Sequence, residues 1–193
     1  MRQTDPTPQR SVAELVEQLG RHACSEAFGA GLNPAQWSAL RYFERANRFS
    51  RTVSAFARYH GTTRGTASQT VRALVAKGYL RRSPAEHDQR SFRLDLTERA
   101  RQRLAADPLD AFVTAAATLP REQCATLARG LRKMLDHVQG EPAFGVCTSC
   151  RHLREVDGAS PAGCAHRCLF KDALLHDDEL GRICIDYQSR VDH

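Results

Sequence analysis

Residues 62–97, TTRGTASQTVRALVAKGYLRRSPAEHDQRSFRLDLT, change from a helical to a strand-like pattern within one continuous stretch. In the first half, apolar side chains recur every three or four positions between Ala67 and Val75, which predicts a helix. Thr62 or Thr63 can cap its start, and Gly78 can end it. The second half places strand-like runs on both sides of a polar turn, AEHDQR, which predicts a two-stranded hairpin.

Helical patterns lie on both sides of this stretch. Asn33 followed by Pro34 predicts the start of one helix, and Ser50 predicts the cap of a short helix that ends at Gly61. Two helices joined by so short a turn form a helix-turn-helix, and the hairpin that follows is its wing. Thr97 predicts the cap of the next helix.

The predicted fold class is therefore mainly α with a small β wing, an α+β winged helix with an all-helical dimerisation region and a small Cys-rich extension. We expect three parts: a disordered N-terminus at 1–10, a winged helix and dimerisation domain at 11–140, and a metal-binding extension at 141–193.

The positive charge of the chain is concentrated in its first part. Residues 1–140 hold 22 Lys and Arg against 13 Asp and Glu, whereas residues 141–193 hold 6 against 9. Concentrated positive charge favours a polyanionic partner such as nucleic acid. No apolar run approaches the roughly 20 residues that span a membrane, and no secretory signal is evident, so we expect a cytoplasmic protein without a membrane partner.

Three stretches, NPAQWSALRYFERA, TASQTVRALVAKGYLRR and DQRSFRLDLTERARQRL, resemble the winged-helix MarR family of bacterial transcription regulators. The resemblance covers roughly residues 11–138, and its most specific part is the Asp88-x-Arg90 wing followed by LDLT. It implies a homodimer with interlocking terminal helices, for which the apolar faces Val12–Leu19 and Leu127–Leu135 are available. Such a dimer binds double-stranded DNA at a pseudopalindromic operator.

The second helix of the helix-turn-helix is the candidate for reading DNA. Arg64, Ser68 and Arg72 are four residues apart and share one face, which can enter a major groove. Arg90 at the wing tip suits a narrow minor groove. The predicted DNA-binding residues are Thr63, Arg64, Ser68, Gln69, Arg72 and Arg90. Further phosphate contacts are expected from Arg51, Arg81, Arg82 and Arg93.

Five of the seven cysteines fall in the last 47 residues, at positions 147, 150, 164, 168 and 184. Disulfides rarely persist in the cytosol, so this group points to metal or redox chemistry. A C-x-x-C pair and two cysteines from distant points can close a four-sulfur site. The predicted ligands are Cys147, Cys150, Cys168 and Cys184, with Cys164 as a substitute for Cys168. Cys24 and Cys124 are interpreted as ordinary small residues of helices.

Zinc and iron–sulfur clusters both accept four thiolates. The sequences CTSC, CLF and CIDY resemble the cysteine pattern of high-potential iron–sulfur proteins, although the Pro-Gly turn expected after the third cysteine is missing. The resemblance favours a [4Fe–4S] cluster. Zinc remains the alternative, and [2Fe–2S] stays open.

The combined prediction is a DNA-binding regulator, a repressor, whose affinity depends on a cluster that senses redox state, oxygen, nitric oxide or iron. One alternative is a regulator that senses a small molecule and carries a structural zinc site. Another is an iron–sulfur electron carrier or redox enzyme. The sequence shows no second cofactor motif and no nucleophile–base arrangement, so we predict that the chain is not an enzyme.

Overall fold

The computed structural model describes residues 7–26, 31–85, 88–140, 144–156 and 165–190, with backbone only at residues 85 and 88–91. Its helices are α1 (Pro8–Glu26), α2 (Pro34–Arg45), α3 (Val53–Tyr59), α4 (Arg64–Ala76), α5 (Glu98–Leu104), α6 (Asp110–Ala116) and α7 (Arg121–Gln139). Its strands are β1 (Leu80–Ala85), β2 (Asp88–Leu96), β3 (Gly145–Val146), β4 (Leu153–Glu155), β5 (His166–Cys168), β6 (Ala173–Leu175) and β7 (Ile183–Cys184). The predicted fold class, a mainly helical winged helix with a small β wing, is confirmed.

The core forms around α2. The Asn33 side chain accepts a hydrogen bond from the Gln36 amide at 2.9 Å, and the Gln36 side chain accepts one from the Asn33 amide at 3.2 Å. This reciprocal capping box satisfies two donors at the helix start. The helix then buries its apolar face, with Trp37, Leu40, Tyr42 and Phe43 almost completely enclosed.

Thr52, and not Ser50, caps α3. The Thr52 hydroxyl accepts a hydrogen bond from the Ala55 amide at 3.1 Å, and Thr52 has the extended backbone of an N-cap. Ser50 is fully buried; its amide donates to Asn47 Oδ1, and its carbonyl accepts from the Tyr42 hydroxyl. The prediction of Ser50 as the cap was wrong because two hydroxyl residues precede this helix and the nearer one caps it.

The helix α4 and the hairpin follow the predicted order. Thr63 caps α4, as expected, and Gly78 turns the chain towards β1 with a φ of +73°. The strands β1 and β2 pair antiparallel from Leu80 opposite Leu96 towards the wing tip. Strand β2 begins at Asp88, so the polar turn is shorter than predicted.

The helix α1 begins at Pro8, so residues 8–10 are helical and the prediction that they are disordered was wrong; residues 1–6 lie outside the described parts. Proline fits the first turn of a helix because its missing N–H is not needed there. In addition, the Thr7 hydroxyl accepts a hydrogen bond from the Arg10 amide at 3.3 Å. Within the described parts, no helix is long and apolar enough to cross a membrane.

The cysteine segment, which we define as residues 144–156 and 165–190, contains short strands. β3 pairs with β7, and β4, β5 and β6 form a second antiparallel sheet. Ile183 joins the core of the winged helix, and Ile185 packs against that core. Successive side chains of a strand point to opposite faces, so Ile183 points away from its neighbour Cys184.

Candidate nucleic-acid interface and cysteine site

The helix α4 presents a polar face beside its buried one. Its buried residues are Ala67, Val71 and Leu74, which pack into the core. The candidate side chains of Arg64, Gln69 and Arg72 are exposed, and that of Ser68 is half-buried. A helix that is held by one face and exposes arginine, amide and hydroxyl groups on another can contact base edges and phosphates.

Thr63 also supports this helix. Its hydroxyl accepts a hydrogen bond from the Thr66 amide at 3.1 Å and lies 2.9 Å from the Thr66 hydroxyl. The Thr63 side chain therefore holds the first turn of α4, and a contact with DNA would be additional to that role.

Two of the arginines expected at phosphates are held by a carboxylate. Arg51 Nη1 lies 2.9 Å from Asp95 Oδ1, and Arg93 Nε lies 3.1 Å from Asp95 Oδ2. Burial alone would raise the pKa of Asp95, but hydrogen bonds from Ser83 and Arg51 and the charge of Arg93 hold that pKa below its ordinary value. The ionised Asp95 thus joins the loop before α3 to the wing.

The remaining arginine candidates lie on the hairpin. The side chains of Arg81 and Arg82 are exposed on β1. The backbone of Arg90 belongs to β2, close to the wing tip. The side chains of Arg90 and Asp88 are outside the part of the chain that the structure describes. The expected minor-groove contact of Arg90 therefore stays a prediction.

The four predicted ligands line one small cavity of about 10 Å³ together with Leu153, Leu175 and Asp186. The four sulfurs come from three places in the fold. Cys147 and Cys150 stand at the two ends of one 3-10 turn, closed by a hydrogen bond from the Cys150 amide to the Cys147 carbonyl at 2.9 Å. Cys168 ends β5 and Cys184 ends β7. Folding thus brings together residues that are up to 37 positions apart.

The surroundings of Cys147 and Cys184 favour the neutral thiol of each. Burial and the neighbouring thiols of the cavity raise the pKa of Cys147 to about 12. Burial also raises the pKa of Cys184, although a hydrogen bond from the Asn47 side chain opposes that rise. A metal that binds here would have to displace protons from the thiols.

The same cavity is not arranged around a single ion. In the parts of the chain that the structure describes, no group of three or more His, Cys, Asp and Glu side chains could hold a metal ion as it stands. A tetrahedral zinc site, with Zn–S bonds of roughly 2.3 Å, needs sulfurs about 3.8 Å apart. The cysteines enclose a space of about 10 Å³, which is close to what one water molecule needs.

The other cysteines and histidines take different positions. Cys164 lies outside the described residues. Cys24 is exposed on α1, and Cys124 is half-buried on α7 with its sulfur 3.1 Å from the Ala116 carbonyl oxygen. His152 lines the cavity, but its Nε2 lies 3.0 Å from Gln188 Oε1.

Comparison with known proteins agrees with the geometry of the first site. Residues 30–91, which include α2, α3, α4 and most of the hairpin, match the model of the MarR family. Over these residues the chain is similar to the MarR family, whose members are transcription regulators and not enzymes. This agrees with the prediction that the chain is not an enzyme. No curated protein sequence matches the chain significantly.

Several solved structures share the fold at low sequence identity. The S. aureus MepR–DNA complex is 19% identical with a TM-score of 0.56, over 68% of this chain and 96% of MepR. BldR from Sulfolobus solfataricus is 22% identical with a TM-score of 0.54, over 71% and 99% of the two chains. An E. coli MarR mutant is 19% identical with a TM-score of 0.50, over 69% and 99%.

The cysteine segment, which lies beyond the MarR match, docks on the MarR-type domain at the loop between α2 and α3. The Asn47 amide donates to the Ile183 carbonyl at 2.9 Å, and the Ile185 amide donates to Ser50 Oγ at 2.9 Å. Sequence reasoning missed these residues. The sequence offered one signal: more polar residues precede α3 than the single hydroxyl that is needed to cap that helix.

Proposed function

We propose that this chain is a homodimeric MarR-type repressor whose affinity for DNA is controlled by an iron–sulfur cluster in the cysteine segment. MarR-type DNA binding rests on the family match and on the fold. The observation that carries the sensing part is the convergence of Cys147, Cys150, Cys168 and Cys184 on one cavity.

The DNA-binding part is supported by charge and by exposure. The net charge of residues 1–140 is +9, and the exposed face of α4 carries Arg64 and Arg72. MepR, which shares the fold, was crystallised with DNA. Arg64, Gln69 and Arg72 would meet base edges and phosphates, and Arg81 and Arg82 would meet phosphates of the same groove wall.

The dimer is supported by three helices that have no buried residues in the single chain, α1, α6 and α7. On α1 the apolar side chains of Leu15 and Leu19 are 57% and 54% exposed, and on α7 Leu127 is 52% exposed. Helices of this length gain most of their stability from packing an apolar face. A second copy that covers both faces would set two α4 helices about 34 Å apart, one turn of DNA.

The cluster is supported by the chemistry of the donors. Iron–sulfur clusters are held by cysteine thiolates, and the four cysteines would supply all the ligands of one cluster. The preference for a cluster over zinc rests on the likeness of CTSC, CLF and CIDY to the cysteine pattern of high-potential iron–sulfur proteins. A [4Fe–4S] cluster would supply a centre that oxygen, nitric oxide, iron supply or redox poise can alter.

Metal analysis tests the cluster. We expect protein purified without oxygen to contain iron and acid-labile sulfide and to absorb visible light. Cys184→Ser should abolish all three signals, whereas Cys124→Ser, which changes a cysteine outside the cavity, should retain them. Zinc without sulfide would contradict the cluster and support the alternative, a regulator with a structural zinc site that senses a small molecule.

Binding to DNA tests the regulation. A duplex selected from a random library serves as the probe, and its affinity is compared for cluster-loaded and stripped protein at fixed salt. We expect a difference of about 5- to 150-fold, the usual range of allosteric coupling. Equal affinities would refute control by the cluster. A weak dependence of binding on salt would contradict DNA recognition itself and would revive an electron carrier.

A further inference from the structure

The loop between α2 and α3, residues 46–52, lies between the cysteine segment and the wing. Asn47 and Ser50 in this loop are 1% and 0% exposed, although both are polar. Buried polar side chains are costly unless hydrogen bonds satisfy them. The partners of these two side chains therefore show what the loop is built to hold.

On one side the loop binds the strand that ends with a predicted ligand. Asn47 donates its amide to the Ile183 carbonyl, and Ser50 Oγ accepts from the Ile185 amide, so the backbone is held just before and just after Cys184. Asn47 Oδ1 also accepts a hydrogen bond from the Ser50 amide at 3.0 Å, so the two residues are joined to each other as well.

An ion pair adds a second connection on the same side. Arg48 pairs with the carboxylate of Glu179, and its Nη2 donates to the Leu174 carbonyl at 2.5 Å. Glu179 is buried and also accepts from the His176 amide at 3.2 Å. One arginine of the loop thus joins two separate elements of the cysteine segment.

On the other side the loop binds the wing. The Arg51 carbonyl accepts from the Leu94 amide of β2 at 2.8 Å. The Arg51 guanidinium contacts Asp95 Oδ1 at 2.9 Å and the Ala46 carbonyl at 3.1 Å. Arg51 therefore ties both ends of the loop to the strand that leads to the wing tip.

We propose that Asn47, Ser50 and Arg51 are positioning residues that couple the cysteine site to the wing through this loop. The inference rests on the proposed function and names the route by which the site would act on the DNA-binding part. A change at Cys184 would move the backbone bonded to Asn47 and Ser50, and the adjacent Arg51 would transmit that movement to Leu94 and Asp95. Contiguous hydrogen bonds between elements with two arrangements can carry such coupling.

Hydrogen exchange of the full-length protein tests this route without any DNA. The protein is reconstituted with ferrous iron and sulfide, or stripped with a chelator, and exchange is followed at the Asn47 and Leu94 amides. We expect stripping to accelerate exchange at both amides about 5- to 150-fold, whereas exchange in the middle of α2 stays unchanged.

Two pairs of variants isolate the loop contacts. Ser50→Ala removes the acceptor of the Ile185 amide, and Ser149→Ala removes an exposed hydroxyl of the same segment as its control. Glu179→Gln removes the charge that pairs with Arg48 but keeps an acceptor for the His176 amide. Its control is Asp172→Asn, which weakens the exposed pair with Arg167 inside the segment.

In cluster-loaded protein, we expect Ser50→Ala and Glu179→Gln to show the fast exchange of the Leu94 amide that the stripped protein shows. Both control variants should instead show the slow exchange of the loaded protein without substitutions. Ser50→Ala and Glu179→Gln should accelerate Leu94 exchange even in protein as purified, so the route is tested apart from iron loading. If neither stripping nor the two variants changes the exchange rate of the Leu94 amide, the inference is wrong.

The DNA measurement separates the two proposals. If stripping changes the affinity for the selected duplex but leaves Leu94 exchange unchanged, control runs elsewhere and only the loop inference fails. If stripping changes Leu94 exchange but leaves the affinity unchanged, the coupling stands and the proposed control of DNA binding fails.

Discussion

Replacing Ile183 with alanine tests whether the cysteine segment shares the core of the winged helix. Ile183 is 6% exposed and belongs to the cluster around Trp37 and Phe43. The substitution removes three carbon atoms, which at about 0.8 kcal/mol per buried carbon corresponds to about 2.4 kcal/mol. A residual cavity raises the cost, and buried Ile→Ala changes generally cost about 2–5 kcal/mol.

The assay is urea unfolding followed by the fluorescence of Trp37, the single tryptophan of the chain and a fully buried one. We expect Ile183→Ala to lower the free energy of unfolding by about 3 kcal/mol. With a slope of about 1–3 kcal/mol per molar urea, the midpoint should fall by about 1 M or more. Since Trp37 lies in the MarR-type domain, its signal reports on that domain and not on the cysteines.

Leu169→Ala provides the control, because Leu169 lies in the same segment but is 51% exposed. We expect it to change the free energy of unfolding by less than about 0.5 kcal/mol. If Ile183→Ala were equally mild, or if it altered the segment without altering the Trp37 transition, the segment would not be part of the core and the reasoning would be refuted.

Three further outcomes are expected. Arg72→Ala should weaken binding to the selected duplex by about 1–3 kcal/mol in fluorescence anisotropy, and an unchanged affinity would remove Arg72 from the interface. Burial alone would raise the pKa of Asp107, but its hydrogen bonds with Arg41 lower that pKa below its ordinary value. The pair should therefore stabilise the fold above about pH 4, and this stabilisation should be lost as the pH falls through the lowered pKa. In an acid-unfolding measurement, Asp107→Asn should lack this pH-dependent loss of stability. Gly145→Ala would bring a Cβ within 2.6 Å of the Tyr187 ring, so thermal unfolding should show a loss of about 1–3 kcal/mol, whereas tolerance would show that the ring can move.

The winged helix could be predicted from sequence because its signals are local. The caps of α2, α4 and α5, at Asn33, Thr63 and Thr97, bond to residues three positions later, so sequence spacing carries the information. The apolar periodicity of α4 likewise reported which of its faces is buried. These features depend on neighbours within one or two turns.

The docking of the cysteine segment could not be predicted, because its contacts join residues far apart in the sequence. Ser50 and Ile185 are 135 positions apart, and the hydroxyl of Ser50 resembles an ordinary N-cap until the strand β7 is in place. Arg51 and Arg93 posed the same difficulty: in a basic wing both resemble phosphate ligands, but Asp95 accepts hydrogen bonds from both. Sequence alone does not show which charges find a partner within the protein.

Folding of the cysteine segment would depend on the proposed metal, because its ligands converge only when strands of two or three residues are in place. Loss of the proposed cluster should then release the bonds to Asn47 and Ser50 along with the site itself, so the wing would respond to the metal although no ligand lies in the wing.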